Sequence, residues 1–299
     1  MEVTAMLRVV LLLAFFAVPG PVLAQQTVPF HLRNNLVSVQ ATINGEEVGA
    51  VLDSGTGTVI ISRSLATRLG LKLGDSLQAA GGGAGDQSIF PVKLKHVEFG
   101  SLALADVPAY AIDLDSISSS SGFTVDALLG APFFSKHVVR VDYTNSTVSI
   151  HGEGTSPACP NPIPLKLVHN VPVVVAKVKS RPGSAPRTVN LVVDLGSRHY
   201  SYLGSAFLQS DLGKTLYAGG HKRSIAVGTG GRAMGVVTTF AELAIGAQDF
   251  HDVEFALTNE IKAFDLKEID GSLGVPLWKG GVITFDYPRH QLCIQTPHE

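Results

Sequence analysis

The chain has 299 residues, 45% of them hydrophobic and 16% charged, which suits a folded protein of about two domains and excludes a disordered one. Lys plus Arg (23) nearly balance Asp plus Glu (25), giving a net charge of −2, so nothing favours a nucleic-acid or anionic-membrane partner. Thirty-one Gly, 16 Pro and frequent Val, Ile and Thr point to strands joined by tight turns.

The N-terminus reads as a targeting segment. Arg8 precedes the apolar run Val9 to Val18, and Pro19-Gly20-Pro21 ends it. Val22-Leu23-Ala24 then supplies the small residues of a signal-peptidase site, so residues 1–24 are expected to be a signal peptide cut after Ala24. The apolar run is about half the roughly 20 residues that a helical span needs. The mature protein is therefore expected to be exported, periplasmic or secreted, with no stable membrane anchor.

Next come two strand-like runs around a short turn, "VPFHLRNNLVSVQATI" and "NGEEVG". They lead into "VLDSGTGTVIIS", in which Asp53 sits between apolar strands, a place where a charge is rare without a partner. A short helical stretch, "SRSLATRLG", follows, then the glycine-rich "AAGGGAGDQS" and the alternating strands of "KLKHVEFGSLALADVP". "DALLG" and the strand pair "VRVDY…TVSI" close this half. The segment His151 to Pro162 has the Gly, Pro and Ser content of a linker.

The second half repeats this order. Val125 to Ile150 aligns without a gap on Ile269 to Ile294, matching Asp126 with Asp270, Gly130 with Gly274 and Asp142 with Asp286. Val28 to Ile43 aligns on Ile163 to Val178, and Asp53 falls on Asp194 of "VVDLGS". A longer hairpin, "KSRPGSAPRT", replaces "NGEEVG", and "GSAFLQSDLG" is the matching helical stretch. Two similar lobes, 25–155 and 156–299, follow from this internal duplication. The fold class expected is all-β and bilobal, with a pseudo-twofold axis and few short helices.

Two such lobes would bring Asp53 and Asp194 face to face. Carboxylates in contact do not both ionise cheaply, so one proton is shared and the pair titrates as a unit. One carboxylate can then act as base on a water while the protonated partner polarises a carbonyl. Such a pair should work at acid to mildly acid pH. Gly55 and Gly196 leave room where a side chain would crowd the opposite lobe. Ser54, Thr56 and Ser197 supply hydroxyls, those of Thr56 and Ser197 being candidates to bond the carboxylates.

On these residues the chain resembles the retropepsin-like and pepsin-like aspartic proteases. "LDSGTG" and "VDLGSR" are similar to that family's Asp-[Ser/Thr]-Gly signature, and "DALLG" and "DGSLG" to its hydrophobic-hydrophobic-Gly element beneath the catalytic loop. The resemblance covers nearly the whole mature chain and implies an exported aspartic endopeptidase with Asp53 and Asp194 catalytic, a peptide or protein substrate, no cofactor and no metal. An intramolecular pair implies a monomer. The alternative is a catalytically inactive peptide-binding or structural module with the same fold.

The resemblance also implies a flap hairpin in each lobe, with Gly81, Gly82 and Gly83 in the first and Gly228, Gly230 and Gly231 in the second. Neither run opens a helix or carries Gly-Lys-Ser/Thr, so a nucleotide loop is disfavoured; a plain glycine-rich turn is the alternative, above all in the second lobe. Leu195 departs from the pattern, standing where the family has Thr or Ser, so Ser54 alone is left to lock the two loops together. Neither flap has the Tyr or Trp of pepsin-like flaps, which leans toward the retropepsin-like branch. Arg198 would depress the pKa of Asp194 if it turned inward.

The remaining polar residues read as structural. Asp126 and Asp270 are expected to cap the following turn, Asp142 and Asp286 to hold strand ends, and His199 to lie at the surface. No His-Glu-x-x-His occurs, and the two cysteines are too few for a cysteine zinc site. In an exported protein Cys159 and Cys293 form either one disulfide or two free thiols.

Overall fold

The computed structural model describes residues 26–152 and 157–296. The expected signal peptide, residues 1–24, lies outside the described residues. Among the described residues no helix is long and apolar enough to cross a membrane.

Two lobes of β-sheet carry the same strand order. In the first, the sequence across the sheet is His31–Arg33, Leu36–Ile43, Glu46–Leu52, Ala127–Leu129, Val59–Ser62, Leu102–Ile112, Asp86–Phe99 and Leu77–Ala80. A further pairing of Thr42 with Glu98 and Ile43 with Val97 curls this sheet back on itself. In the second lobe the order is Ile163–Val168, Val171–Lys179, Arg187–Val193, Gly271–Leu273, Ser201–Leu203, Gln248–Leu257, Gly231–Ile245 and Lys222–Gly228. There Ala176 pairs with Ile245 to make the same closure. Alternation of buried and exposed positions along Leu36–Ile43 and Val171–Lys179 puts one face of each strand into the core.

A shared sheet joins the lobes. Val138–Asp142 pairs antiparallel with Val282–Asp286, Arg140 lying opposite Thr284, so the pseudo-twofold axis passes between those two residues. Phe134 packs edge-on to Phe285 and stacks on Tyr287 across this junction, and Trp278 is fully buried. Cys159 and Cys293 are bridged, with Cα atoms 5.9 Å apart, which ties the linker to the last strand, Gln291–Gln295.

Paired turns set the register. Asn34-Asn35 and His169-Asn170 all adopt positive φ, the conformation that tight hairpins demand, and Asn tolerates it well. Ser62 caps the helix Arg63–Arg68 by accepting the Leu65 amide, and Ser210 caps Asp211–Ala218 through Gly213. A helix that the sequence pattern did not predict, Asp115–Ser121, lies in the first lobe and ends on Gly122 at φ 79°.

Asp126 and Asp270 do not cap the following turn. Asp126 accepts from the Arg68 guanidinium at 2.9 Å, and Asp270 takes the Asn190 amide at 2.7 Å. Both therefore tie the strand entering the hydrophobic-Gly element to its neighbours. Asp142 and Asp286 do hold strand ends, each accepting a backbone amide three residues on, from Asn145 and Arg289. His199 is exposed.

Candidate active site

Each aspartate leaves the end of an inner strand. Glu46–Leu52 runs parallel to Ala127–Leu129, and Arg187–Val193 runs parallel to Gly271–Leu273. The Asp53 amide donates to Leu129 O and the Asp194 amide to Leu273 O, both at 3.1 Å. Three residues later each turn is held again: Ala131 N donates to Thr56 O and Val275 N to Ser197 O, both at 2.9 Å. A Cβ at Gly130 would overlap the Thr56 and Thr58 carbonyls, and one at Gly274 those of Ser197 and Tyr200. The hydrophobic-Gly elements thus pass directly under the aspartate turns, and only glycine lets them approach so closely.

The two turns meet across the lobe boundary and bring the carboxyls of Asp53 and Asp194 together as an electrostatically interacting pair. Each also accepts its own turn's amide, Gly55 N to Asp53 Oδ1 at 2.9 Å and Gly196 N to Asp194 Oδ1 at 2.7 Å. A Cβ on Gly196 would stand 3.0 Å from the Asp53 carboxyl, and one on Gly55 would overlap that of Asp194. Both aspartates keep some solvent-accessible surface, while protein packs the rest.

Burial raises both carboxyls above the ordinary value, Asp53 to about 6 and Asp194 well above it. The charge of Asp53 adds to the rise at Asp194, while the amides of Gly55, Gly196 and Ser197 pull the other way. Such a pair takes up one proton and holds it into the near-neutral range. Tyr287 lies close enough to feel both carboxyls, which with burial push its hydroxyl pKa up.

Ser54 is fully buried and locks the two turns together. Its hydroxyl donates to Val193 O at 2.7 Å and accepts the Leu195 amide at 3.0 Å. Leu195 returns no such bond; its side chain is fully buried in the main core. The other two hydroxyls do not act as the sequence suggested. Ser197 Oγ donates to Tyr200 O at 3.1 Å, and its backbone amide donates to the Asp194 main-chain carbonyl at 3.3 Å. Thr56 contributes its carbonyl to Ala131, and among the described residues its hydroxyl bonds neither carboxyl. The Gly55 and Gly196 amides bond the carboxyls instead.

The glycine-rich segments form two hairpins, one from each lobe, Leu77–Ala80 with Asp86–Phe99 and Lys222–Gly228 with Gly231–Ile245. Their tips touch: Gly83 N donates to Thr229 O at 2.8 Å, Gly85 N to Gly230 O at 2.9 Å and Gly82 N to Thr229 Oγ1 at 3.3 Å. A Cβ at Gly81 would overlap Thr229, and one at Gly228 would come 2.7 Å from Gly82 O, so the meeting depends on bare backbone. Gly230 and Gly231 make the second tip's turn at φ 89° and 93°. Lys262 reaches Asp86 at 2.9 Å beside this contact.

Arg198 does not turn toward Asp194. Its Nη2 donates to Ser120 Oγ in the first lobe and to Val227 O in the second flap, both at 3.0 Å. Sequence reasoning also missed a matched pair of ties between lobes. Asn35 Nδ2 donates to Arg198 O at 2.8 Å, and Asn170 Nδ2 reaches Gly57 O at 3.5 Å. The equivalence of Asn35 and Asn170 in the internal alignment was the available signal. Among the described residues no three His, Cys, Asp or Glu side chains gather as a metal site requires.

Comparison with known proteins follows this geometry. Residues 39–133 match the aspartyl protease family model. No curated protein matches the chain. Among solved structures, an aspartic proteinase from Irpex lacteus aligns over 91% of this chain and 97% of its own, at 12% identity and a TM-score of 0.54. A retropepsin-like aspartic protease from Rickettsia conorii aligns over 42% of this chain and 89% of its own, at 17% identity and a TM-score of 0.32. The first lobe therefore carries the sequence pattern of the aspartyl protease family, and the chain as a whole has the two-lobed fold of the pepsin-like aspartic proteases.

Proposed function

We propose that the protein is an exported, monomeric aspartic endopeptidase that hydrolyses peptide bonds between its two lobes. The observation that carries this reading is the close approach of the Asp53 and Asp194 turns, each glycine lying against the other turn's carboxyl, with both carboxyl pKa values raised. The ionised member takes a proton from a water as the water oxygen bonds to the scissile carbonyl carbon. The protonated member gives its proton to the carbonyl oxygen, and a tetrahedral diol results. When the C–N bond breaks, the leaving nitrogen takes a proton from the pair and a diol hydroxyl returns one, so the pair ends with the single proton it began with.

The strands Leu77–Ala80 and Lys222–Gly228 lie at the free edges of their sheets, so an extended peptide can pair with them as an added strand. Entry requires the tip contacts between the flaps to open, and closure then excludes water.

A binding module without turnover is the competing reading, and Leu195 is the observation that favours it. Against it, Ser54 holds both turns with one hydroxyl used as donor and acceptor. Purified protein incubated with a mixed peptide library at pH 4 to 8 decides between them. Cleavage that an Asp53→Asn variant loses, and that a statine-type peptide blocks, is the expected result. Cleavage unchanged in Asp53→Asn would reject the mechanism.

A further inference from the structure

We propose that Arg198 is a specificity residue that binds an acidic side chain of the peptide substrate, on one side of the scissile bond only; this rests on the proteolytic reading above.

Arg198 begins in the aspartate turn and ends at the flap. Its backbone follows Ser197, whose amide closes the Asp194 turn on the Asp194 main-chain carbonyl, and its guanidinium bonds Val227 O in the flap strand Lys222–Gly228. The side chain therefore spans from the aspartate turn to the flap strand, beside the carboxyl pair where a bound peptide would run. Ser120, on the helix Asp115–Ser121, meets the same guanidinium from the first lobe.

The guanidinium is incomplete where it lies. Arg198 is 8% exposed, and among the described residues no carboxylate stands within ion-pair distance of it. Nη2 has two neutral acceptors, while Nη1 is buried with no hydrogen-bond partner. Tyr202 and His199 are titratable neighbours of Arg198, neither is a carboxylate, and the Tyr202 hydroxyl is committed to Ile225 O at 3.0 Å. A buried, uncompensated cation is costly, and a planar fork with a spare nitrogen is matched in shape by a carboxylate.

The opposite arm of the cleft lacks this feature. The equivalent residue is Gly57, as the mirrored bonds of Asn35 to Arg198 O and Asn170 to Gly57 O establish. A Cβ at Gly57 would overlap the His169 carbonyl, so no side chain fits there. At this position one arm carries a guanidinium and the other no side chain, so a peptide crossing the axis would meet this cation on one side alone.

The test uses statine-centred peptides, which bind without being cut. Glu is placed in turn at each position on both sides, and each peptide is compared with its Gln counterpart by calorimetry on the intact protein. The expected result is at least tenfold tighter binding of Glu at a position on one side, with no preference on the other. Arg198→Met should bring the Glu-to-Gln ratio to within twofold. Arg198→Lys, which keeps the charge but not the fork, should fall between. A merely structural Arg198 would weaken both peptides equally and leave the ratio unmoved. Equal binding of Glu and Gln peptides by the wild-type protein, or a ratio that survives Arg198→Met, overturns the proposal. Failure of the proteolytic reading appears separately, as absence of cleavage of the corresponding natural peptides.

Discussion

The turns Asp53–Gly57 and Asp194–Arg198 share a backbone, an Asp and a Gly, and differ most at their second and fifth residues. In both, the aspartate amide donates to a carbonyl of the hydrophobic-Gly element, a turn carbonyl accepts an amide from that element, and the turn's own glycine amide donates to the carboxyl. Yet Ser54 faces Leu195, and Gly57 faces Arg198. What the two turns keep in common is what the carboxyl pair needs, namely positions and donors. What they vary is how the lobes are held together and which side chain stands at the end of the turn.

The largest effect is expected where the turns approach each other most closely. Gly55→Ala puts a methyl into the Asp194 carboxyl, whereas Gly196→Ala puts one 3.0 Å from that of Asp53. Displacement of a reacting group by about 1 Å costs on the order of a hundredfold in rate, so Gly55→Ala should lose at least that in kcat/KM and Gly196→Ala less. Equal losses would mean that the two carboxyls are equally crowded, and the asymmetry would fall.

The lock between the turns comes next. Ser54→Ala strands the Val193 carbonyl and the Leu195 amide, both buried, and should cost about 2–4 kcal/mol in chemical denaturation. Leu195→Ala should cost a similar amount, about 2–5 kcal/mol, for a different reason: a hole in the core. If Ser54→Ala unfolds no more easily than wild type, the one-sided lock is wrong.

Burial of the carboxyl pair sets a third expectation, with a definite sign. The folded-state pKa values are raised above 3.8, so the pair favours folding when protonated, and that advantage is lost as pH rises through about 6. Asp53→Asn should therefore be more stable than wild type at pH 7, by about 1–3 kcal/mol, with the gap closing toward pH 4. The same shift moves the working window: kcat/KM should fall as pH drops below about 6, when a second proton reaches the pair. Thermal melts and rates across pH 4 to 8 read both. A rate that peaks at pH 4 would restore the acid optimum expected of unperturbed carboxylates.

The smallest effect restores the missing hydroxyl. Leu195→Thr trades buried apolar surface for a second cross-lobe bond and should lie within about 1 kcal/mol of wild type, well above Leu195→Ala. A loss as large as that of Leu195→Ala would show that the second turn cannot form the bond.

Much of this site is legible from sequence because strand, turn and underlying glycine are fixed locally. Asp53, Asp194, Gly130 and Gly274 each sit where short-range geometry leaves few choices, and the repeat doubled the signal. The flap tips follow from the same logic, since only bare backbone permits the contact between Gly83 and Thr229. The roles of Thr56 and Ser197 were misread because a nearby hydroxyl and a backbone amide compete for one carboxylate, and residue type alone does not decide between them. The helix Asp115–Ser121 was hidden by its serines, which favour caps and turns over helix interiors. Arg198 was hardest to read: its long side chain ends at Val227 and Ser120, partners supplied by two other elements.

Titration of isotope-labelled aspartate carboxyls by NMR tests the central claim most directly. If Asp53 and Asp194 share one proton across the lobe boundary, their signals will move together in two steps, both above the ordinary value of 3.8. Two independent transitions near 3.8, each indifferent to replacing the other aspartate by asparagine, would contradict it.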